Sequence, residues 1–189
     1  QNSYVYSPLC KLGGGFAFAS WFAGEHAGDF VISVGGYNPI FDLGQHKHYP
    51  KPPRISLSYQ ITSRIYVKGE AYFALTPSTF MAGGALRAHA SVGSVSANFD
   101  LTVDFLISWE PYHYDARIAL DISAKFMCFH TSASAELHVW GPDFTGKARV
   151  HWSIISFTVK FGSSASELQK ISWDKFKTSF LPSKDPPAG

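Results

Sequence analysis

The chain is short of charge. Of its 189 residues only 16% are Asp, Glu, Lys or Arg, and 16 basic residues against 14 acidic ones leave a formal +2, where a quarter of charged residues is usual. No window gathers the basic residues into a stripe that could follow a phosphate backbone, so nucleic acid is not an expected partner. Cysteine is scarcer still: Cys10 and Cys128 stand far apart, which excludes a disulfide scaffold and any Cys-rich metal site of recognised spacing, and leaves room for one bridge at most. No apolar run reaches the roughly 18 residues of a membrane helix. The N-terminus lacks both an initiator methionine and the basic-then-apolar layout of a signal peptide, so a mature fragment or a piece of a longer chain is expected and localisation stays open. There is no Gly-x-Ser-x-Gly elbow, and Gly13-Gly14-Gly15 lacks the Lys and Ser or Thr of a phosphate-binding loop; no motif calls for a cofactor.

What is abundant is apolar and aromatic: 46% hydrophobic and 16% aromatic residues, which excludes disorder and permits one domain burying about 70% of its unfolded surface. The apolar residues recur with period two, the signature of strands with one greasy face. From Ser94 to Trp109 the odd positions read Val95, Ala97, Phe99, Leu101, Val103, Phe105, Ile107 and Trp109. Beyond Glu110-Pro111 the series continues as Tyr112, Tyr114, Ala116, Ile118, Leu120 and Ile122. A two-residue loop there pairs Trp109 with Tyr112, Ile107 with Tyr114, Phe105 with Ala116 and Val103 with Ile118; proline is not what a primed turn prefers, so a longer loop is the alternative.

The same reading gives a hairpin from Arg64–Leu75 and Phe80–Ser91 around Thr76-Pro77-Ser78-Thr79. A Val92-Gly93 loop sets Leu86 against Phe99 and Gly84 against Leu101, and a last hairpin joins Thr131–Trp140 to Gly146–Gly162. Arg54–Thr62 shares the parity of Arg64–Leu75, as one bent strand or as two broken at Ser63. Two short strands, Phe16–Phe22 and Phe30–Val34, precede a proline-rich surface loop from Tyr37 to Pro53. Ser164 and Glu167 have capping-box spacing ahead of Leu168, Ile171, Trp173 and Phe176, which predicts a short C-terminal helix. The expected fold is all-β: a long-stranded antiparallel meander forming a strongly twisted sheet or a barrel, with that helix. Residues 1–180 make a single β domain and 181–189 a tail or linker.

The segments Gly15-Phe-Ala-Phe-Ala-Ser-Trp-Phe-Ala-Gly24, Gly28-Asp-Phe-Val-Ile-Ser-Val-Gly-Gly-Tyr37, His48-Tyr-Pro50, Gly69-Glu-Ala-Tyr-Phe-Ala-Leu-Thr-Pro77, Asp104-Phe-Leu-Ile-Ser-Trp109 and Leu137-His-Val-Trp-Gly-Pro142 cover most of the chain and resemble the family catalogued as domain of unknown function 6603. Its members are large bacterial and fungal proteins, so the resemblance implies a β-rich piece of such a protein. It carries no activity, substrate or catalytic residue over.

On the polar faces the proposed register sets Asp104 opposite Arg117 and Asp100 opposite Asp121, a like-charge pair that needs compensation. Arg87, facing Asn98, would neutralise it diagonally, and Glu136 or His138 would approach Asp121 from the other side. A loop from Pro142 to Thr145 pairs His138 with Arg149 and Glu136 with His151. This row of ionisable groups is a candidate ligand-binding site, for a cation, a polar ligand or acid–base work; the competing reading is a solvated face laced with ordinary ion pairs. Tyr66, Tyr72 and Trp140 fall on the same polar face and could stack on a sugar or a small apolar ligand, whereas Trp109, Tyr112 and Tyr114 belong to the apolar face and are expected in the core. His46 and His48 have the spacing of a chelating pair, weak as a metal signal because no third ligand has a fixed spacing to them; Glu25-His26 near Asp29 is weaker still.

The function these observations favour is a non-catalytic β module, a structural or ligand-binding segment of a larger protein whose partners are other modules of that parent chain or further copies of itself. The alternatives are a small-molecule enzyme of isomerase or cyclase type, with its acid–base cluster in an aromatic-lined β cavity, and a membrane-inserting β-barrel whose apolar face meets lipid.

Overall fold

The computed structural model describes residues 3–4 and 8–162, and every regular element within them is a β-strand. In chain order these are β1 (Ser3–Tyr4), β2 (Cys10–Gly13), β3 (Phe16–Ser20), β4 (Phe30–Val34), β5 (Ile55–Thr62), β6 (Ile65–Leu75), β7 (Thr79–Val92), β8 (Val95–Trp109), β9 (Tyr112–Phe126), β10 (Phe129–Gly141), β11 (Thr145–Trp152) and β12 (Ile155–Gly162). The expected C-terminal helix and the tail lie outside the described residues, as does the end of the proposed domain.

The strands form one antiparallel sheet in the order β1-β2-β5-β6-β7-β8-β9-β10-β11-β12, with the β3–β4 hairpin joined through β4 to β6. From β5 onward each strand lies beside its successor in chain order. The sheet is not closed: its path runs open from β1 to β12, so of the two architectures expected it is the open sheet and not the barrel.

Parity explains the strand breaks. A two-residue turn joins residues of opposite parity, so the apolar series must switch between odd and even at each such turn. It does so between Val92 and Val95, Trp109 and Tyr112, Phe126 and Phe129, and Trp152 and Ile155. The last switch divides the expected single strand Gly146–Gly162 into β11 and β12 around Ser153, whose φ is +54°. Between β5 and β6 the parity does not switch, yet they are two strands: a register shift between Gln60 and Thr62 inserts one extra residue, Ile61, and the bulge cancels the effect of the turn.

Along β8 and β9 the register is the expected one, from Trp109↔Tyr112 to Asp100↔Asp121, and the connection is the two-residue Glu110-Pro111 with a cis peptide. Two other registers differ from expectation by two residues. The β7–β8 turn is Gly93-Ser94 rather than Val92-Gly93, with Gly93 at φ +58° as a primed turn with glycine first requires; Leu86 therefore faces Leu101, Gly84 faces Val103, and Arg87 faces Asp100 rather than Asn98. At the β10–β11 end Trp140 pairs with Thr145, which sets Glu136 against Arg149 and His138 against Lys147. The expected His138–Arg149 and Glu136–His151 pairs are not formed, and His151 faces Ser134. A slip of two preserves every face, so hydrophobic patterning is blind to it and turn chemistry decides.

The two faces of the sheet are unlike. On one, β5 to β12 contribute Ile, Leu, Val, Phe, Ala, Gly, Trp and Tyr with Thr62 and Thr131, and not one charged side chain. The closed core is on the other face, at one end. There Val31, Tyr72, Ala74, Met81 and Leu106 are buried together with Tyr37 and Tyr49 from the loop, with Trp21, Phe41 and Leu43 packed alongside. Trp109 and Tyr112, expected in the core, stand 44% and 54% exposed at the hairpin end of the uncharged face.

Candidate functional site

The loop between β4 and β5 is held down by specific bonds. Gly35 and Gly36, at φ +74° and +89°, turn the chain out of β4. Arg54, just before β5, donates from Nη1 to the Gly35 carbonyl at 3.1 Å and from Nη2 to that of Tyr37 at 2.8 Å, and its guanidinium lies 3.9 Å from the centre of the Tyr72 ring. Tyr72 reaches across the facing Gly83, where a Cβ would come within 2.6 Å of its ring, and donates to Asp104 Oδ1 at 2.6 Å. The Tyr37 hydroxyl closes the loop on the Pro50 carbonyl at 2.6 Å.

Burial raises the pKa of the Tyr72 hydroxyl, and the Asp104 carboxylate raises it further; burial likewise raises Tyr37. The folded chain therefore keeps protons that an unfolded chain gives up near pH 10. The stability this confers is complete below that pH and is lost as the pH climbs through the higher folded values. In an alkaline titration part of the phenolate absorbance of the nine tyrosines is expected to appear only as the β-sheet circular dichroism disappears. Complete ionisation near pH 10 with the sheet intact would contradict it.

The row of ionisable groups is present, with partners different from those expected. Asp100 and Asp121 do lie directly opposite, and Arg87 Nε reaches Asp100 Oδ1 at 3.3 Å from straight across β7. Ser134, not Glu136 or His138, sits across from Asp121. Glu136 pairs with Arg149 at 3.6 Å. These ion pairs are half-exposed, and a shallow depression lined by Asn98, Asp100, Asp121, Ser134 and His151 lies beside them. Asp104 and Arg117 are in register, but Asp104 takes the Tyr72 hydroxyl while Arg117 Nε turns to Asp115 Oδ1 at 2.9 Å. Buried Asp115 also receives His138 Nε2 at 2.7 Å, and the His138 ring leans on Trp140 at 4.5 Å. Tyr66 stacks on His89 at 5.3 Å, whose Nδ1 meets Asn98 at 2.6 Å. Of the three aromatic candidates, then, Tyr72 is buried and bonded, while Tyr66 and Trp140 are half-buried on the polar face.

A second cluster brings together residues distant in sequence. The β3–β4 connection folds back through Trp21 N–H to Asp29 O and Gly28 N–H to Trp21 O, which places Asp29 at the mouth of the hairpin. The loop delivers His46 and His48 to the same point. His48 Nε2 lies 2.7 Å from Asp29 Oδ2, and Asp29 Oδ1 accepts from the Tyr49 hydroxyl at 2.7 Å and from the Phe30 N–H at 2.8 Å. Burial pushes the Asp29 carboxyl up, but the bonds from His48, Tyr49 and Phe30 together outweigh it and hold it below the ordinary carboxylate range. His26 stacks face to face on His48 at 3.7 Å, and Trp21 meets the same imidazole edge-on at 4.7 Å. His46 lies flat against Phe41 and Tyr49, and its ring makes no side-chain hydrogen bond among the described residues. One ligand atom from each of Asp29, His46 and His48 falls within 4.8 Å of the others. The histidine pair was legible from its spacing; Asp29 stood out in the sequence only beside Glu25-His26, since only the hairpin brings it near the pair. Cys10 and Cys128 are both free thiols.

No curated protein and no solved structure matches the chain. The model of the family of unknown function DUF6603 matches residues 1–188, and the chain belongs to that family.

Proposed function

We propose that this chain is a non-catalytic β module that acts by contact, laying its uncharged sheet face against the same face of a second copy. The observation that carries this is the face itself. Over β5 to β12 it bears no charge, yet Ile118, Ile122, Phe126, Phe129, Trp152 and Phe157 are all more than two-fifths exposed. Monomeric soluble proteins rarely leave more than a few hundred Å² of contiguous apolar surface open. Eight strands about 4.8 Å apart, the longest of them about 50 Å, give a face on the order of 1,500 Å². Two such faces in contact remove about 3,000 Å² from water, the range of obligate homodimers.

A second copy is the occupant this chemistry favours. An uncharged face meets its own twin without like-charge repulsion, as a two-fold interface requires, and it offers no charge for an oppositely charged partner to read. The ionisable row on the other face then serves as the solvated outside; the half-exposed Arg87, Asp100, Glu136 and Arg149 are suited to that and lack the enclosure an acid–base centre uses. Sedimentation equilibrium in detergent-free buffer at micromolar concentration is expected to return twice the 20.8 kDa chain mass. A monomer throughout, or a chain monodisperse only with detergent or lipid vesicles, would refute the pairing and favour an apolar ligand or a membrane as the occupant.

A further inference from the structure

We infer that Asp29, His46 and His48 form a binding site for one divalent transition-metal ion of the zinc class, bridging the β3–β4 hairpin and the loop before β5. The donor set is two imidazoles and one carboxylate, which suits a borderline ion, whereas magnesium and calcium are held by oxygen donors. The three ligand atoms already converge within 4.8 Å. Bonds of about 2.0 to 2.2 Å to a tetrahedral ion need ligand atoms about 3.3 Å apart. His48 and Asp29, now 2.7 Å apart, therefore have to part only slightly, and a turn of the unbonded His46 ring brings in the third nitrogen.

The surroundings have the form of a supporting layer. Asp29 divides its oxygens: Oδ1 is occupied by Tyr49 and the Phe30 N–H, while Oδ2 faces His48. That fixes a carboxylate to bind through one oxygen, the job outer partners do around metal ligands. The rings of His26, Trp21, Phe41 and Tyr49 restrict both imidazoles. Three protein ligands leave a fourth position for water. The competing account is a plain hydrogen-bonded clasp in which His48, Tyr49 and Asp29 pin the loop and His46 merely stacks.

The test is calorimetric titration of the chelator-treated, untagged chain with zinc, and optical titration with cobalt. One ion per chain is expected. Loss of an outer partner around a metal ligand typically costs 10- to 100-fold in affinity, so Tyr49→Phe is expected to weaken zinc by about that factor and His46→Ala or Asp29→Asn by about 100-fold or more. His130→Ala, at an exposed histidine far along the chain, should leave the titration unchanged. His46→Ala removes no side-chain hydrogen bond but does remove the stacking on Phe41 and Tyr49, so its zinc-free melting temperature is the baseline; above that baseline it should lose the zinc-dependent rise that mass action gives the parent. Absence of stoichiometric uptake by the parent, or equal uptake by parent, His46→Ala and Asp29→Asn, would overturn the site. So would a set of variants whose stabilities fall equally with and without zinc.

Discussion

Ile118→Lys is expected to convert the proposed dimer to monomer without unfolding the chain. Ile118 sits near the middle of β9 on the uncharged face, opposite Val103 on one side and Leu137 on the other, and is 42% exposed within one chain. Within a protomer the added ammonium reaches water, and the cost is limited to lost packing on the sheet. Across a face-to-face contact two symmetry-related lysines would have no anion to meet, since the face carries none. The contact can bury only the exposed two-fifths of the isoleucine, so its loss amounts to about 0.6 to 1.3 kcal/mol per copy, and the stranded charge adds a penalty of several kcal/mol. With both copies altered, the dissociation constant should rise by at least about a thousandfold, following 1.4 kcal/mol per factor of ten. Thr102→Lys is the matched control: Thr102 is on β8, one strand away and on the opposite face, between Asp100 and Asp104. It should remain dimeric by sedimentation. Equal behaviour of the two variants would show that the uncharged face is not the contact.

Gly35→Ala is expected to cost roughly 2 to 6 kcal/mol, a large part of the 5 to 15 typical of a domain. Two independent penalties coincide at this residue. Its φ of +74° is a conformation L side chains rarely adopt, and a Cβ would lie 2.4 Å from the Ala71 carbonyl oxygen and 2.8 Å from the Ile55 nitrogen. Both are backbone atoms of strands that cannot withdraw without opening the sheet. Gly28, at φ +91° with open space around it, separates the penalties: Gly28→Ala should cost only the conformational part, about 1 to 3 kcal/mol. Urea unfolding of the two variants measures the difference. Similar midpoints would mean that the corner where β4 and β5 meet the edge of β6 is slack.

Much of this architecture is legible in the alternation of apolar residues, because a strand with one greasy face leaves no freedom over which residues lie on it. The β8–β9 register followed from matching Trp109 to Tyr112. What alternation does not report is a slip of two, and there the glycine of Gly93-Ser94 and the start of β11 at Thr145 decided the pairing. The expectation that the greasy face is the core failed for a different reason. Ala74, Met81 and Leu106 interrupt the polar series on three adjacent strands, and the register aligns them in a single row. That coincidence marks where the loop carrying Tyr37 and Tyr49 settles, but it is visible only after the strands are aligned. The tie of Asp29 to these histidines was hidden likewise: His46 and His48 declare themselves by spacing, while Asp29, noticed only beside Glu25-His26, comes from a hairpin with no periodic relation to them.

The open run of strands from β5 to β12 bears on how such a molecule can change size. Where each ribbon leans only on its neighbours in chain order, as from β7 onward, another pair can be spliced in at any bend; the layer widens by about 10 Å, and only the partnership across that bend is replaced. A cylinder would have to alter its circumference and tilt together to admit the same insertion. Growth by stitching, with the uncharged side kept uncharged along the whole width, is therefore a route by which one gene segment of this kind could yield broader versions of itself.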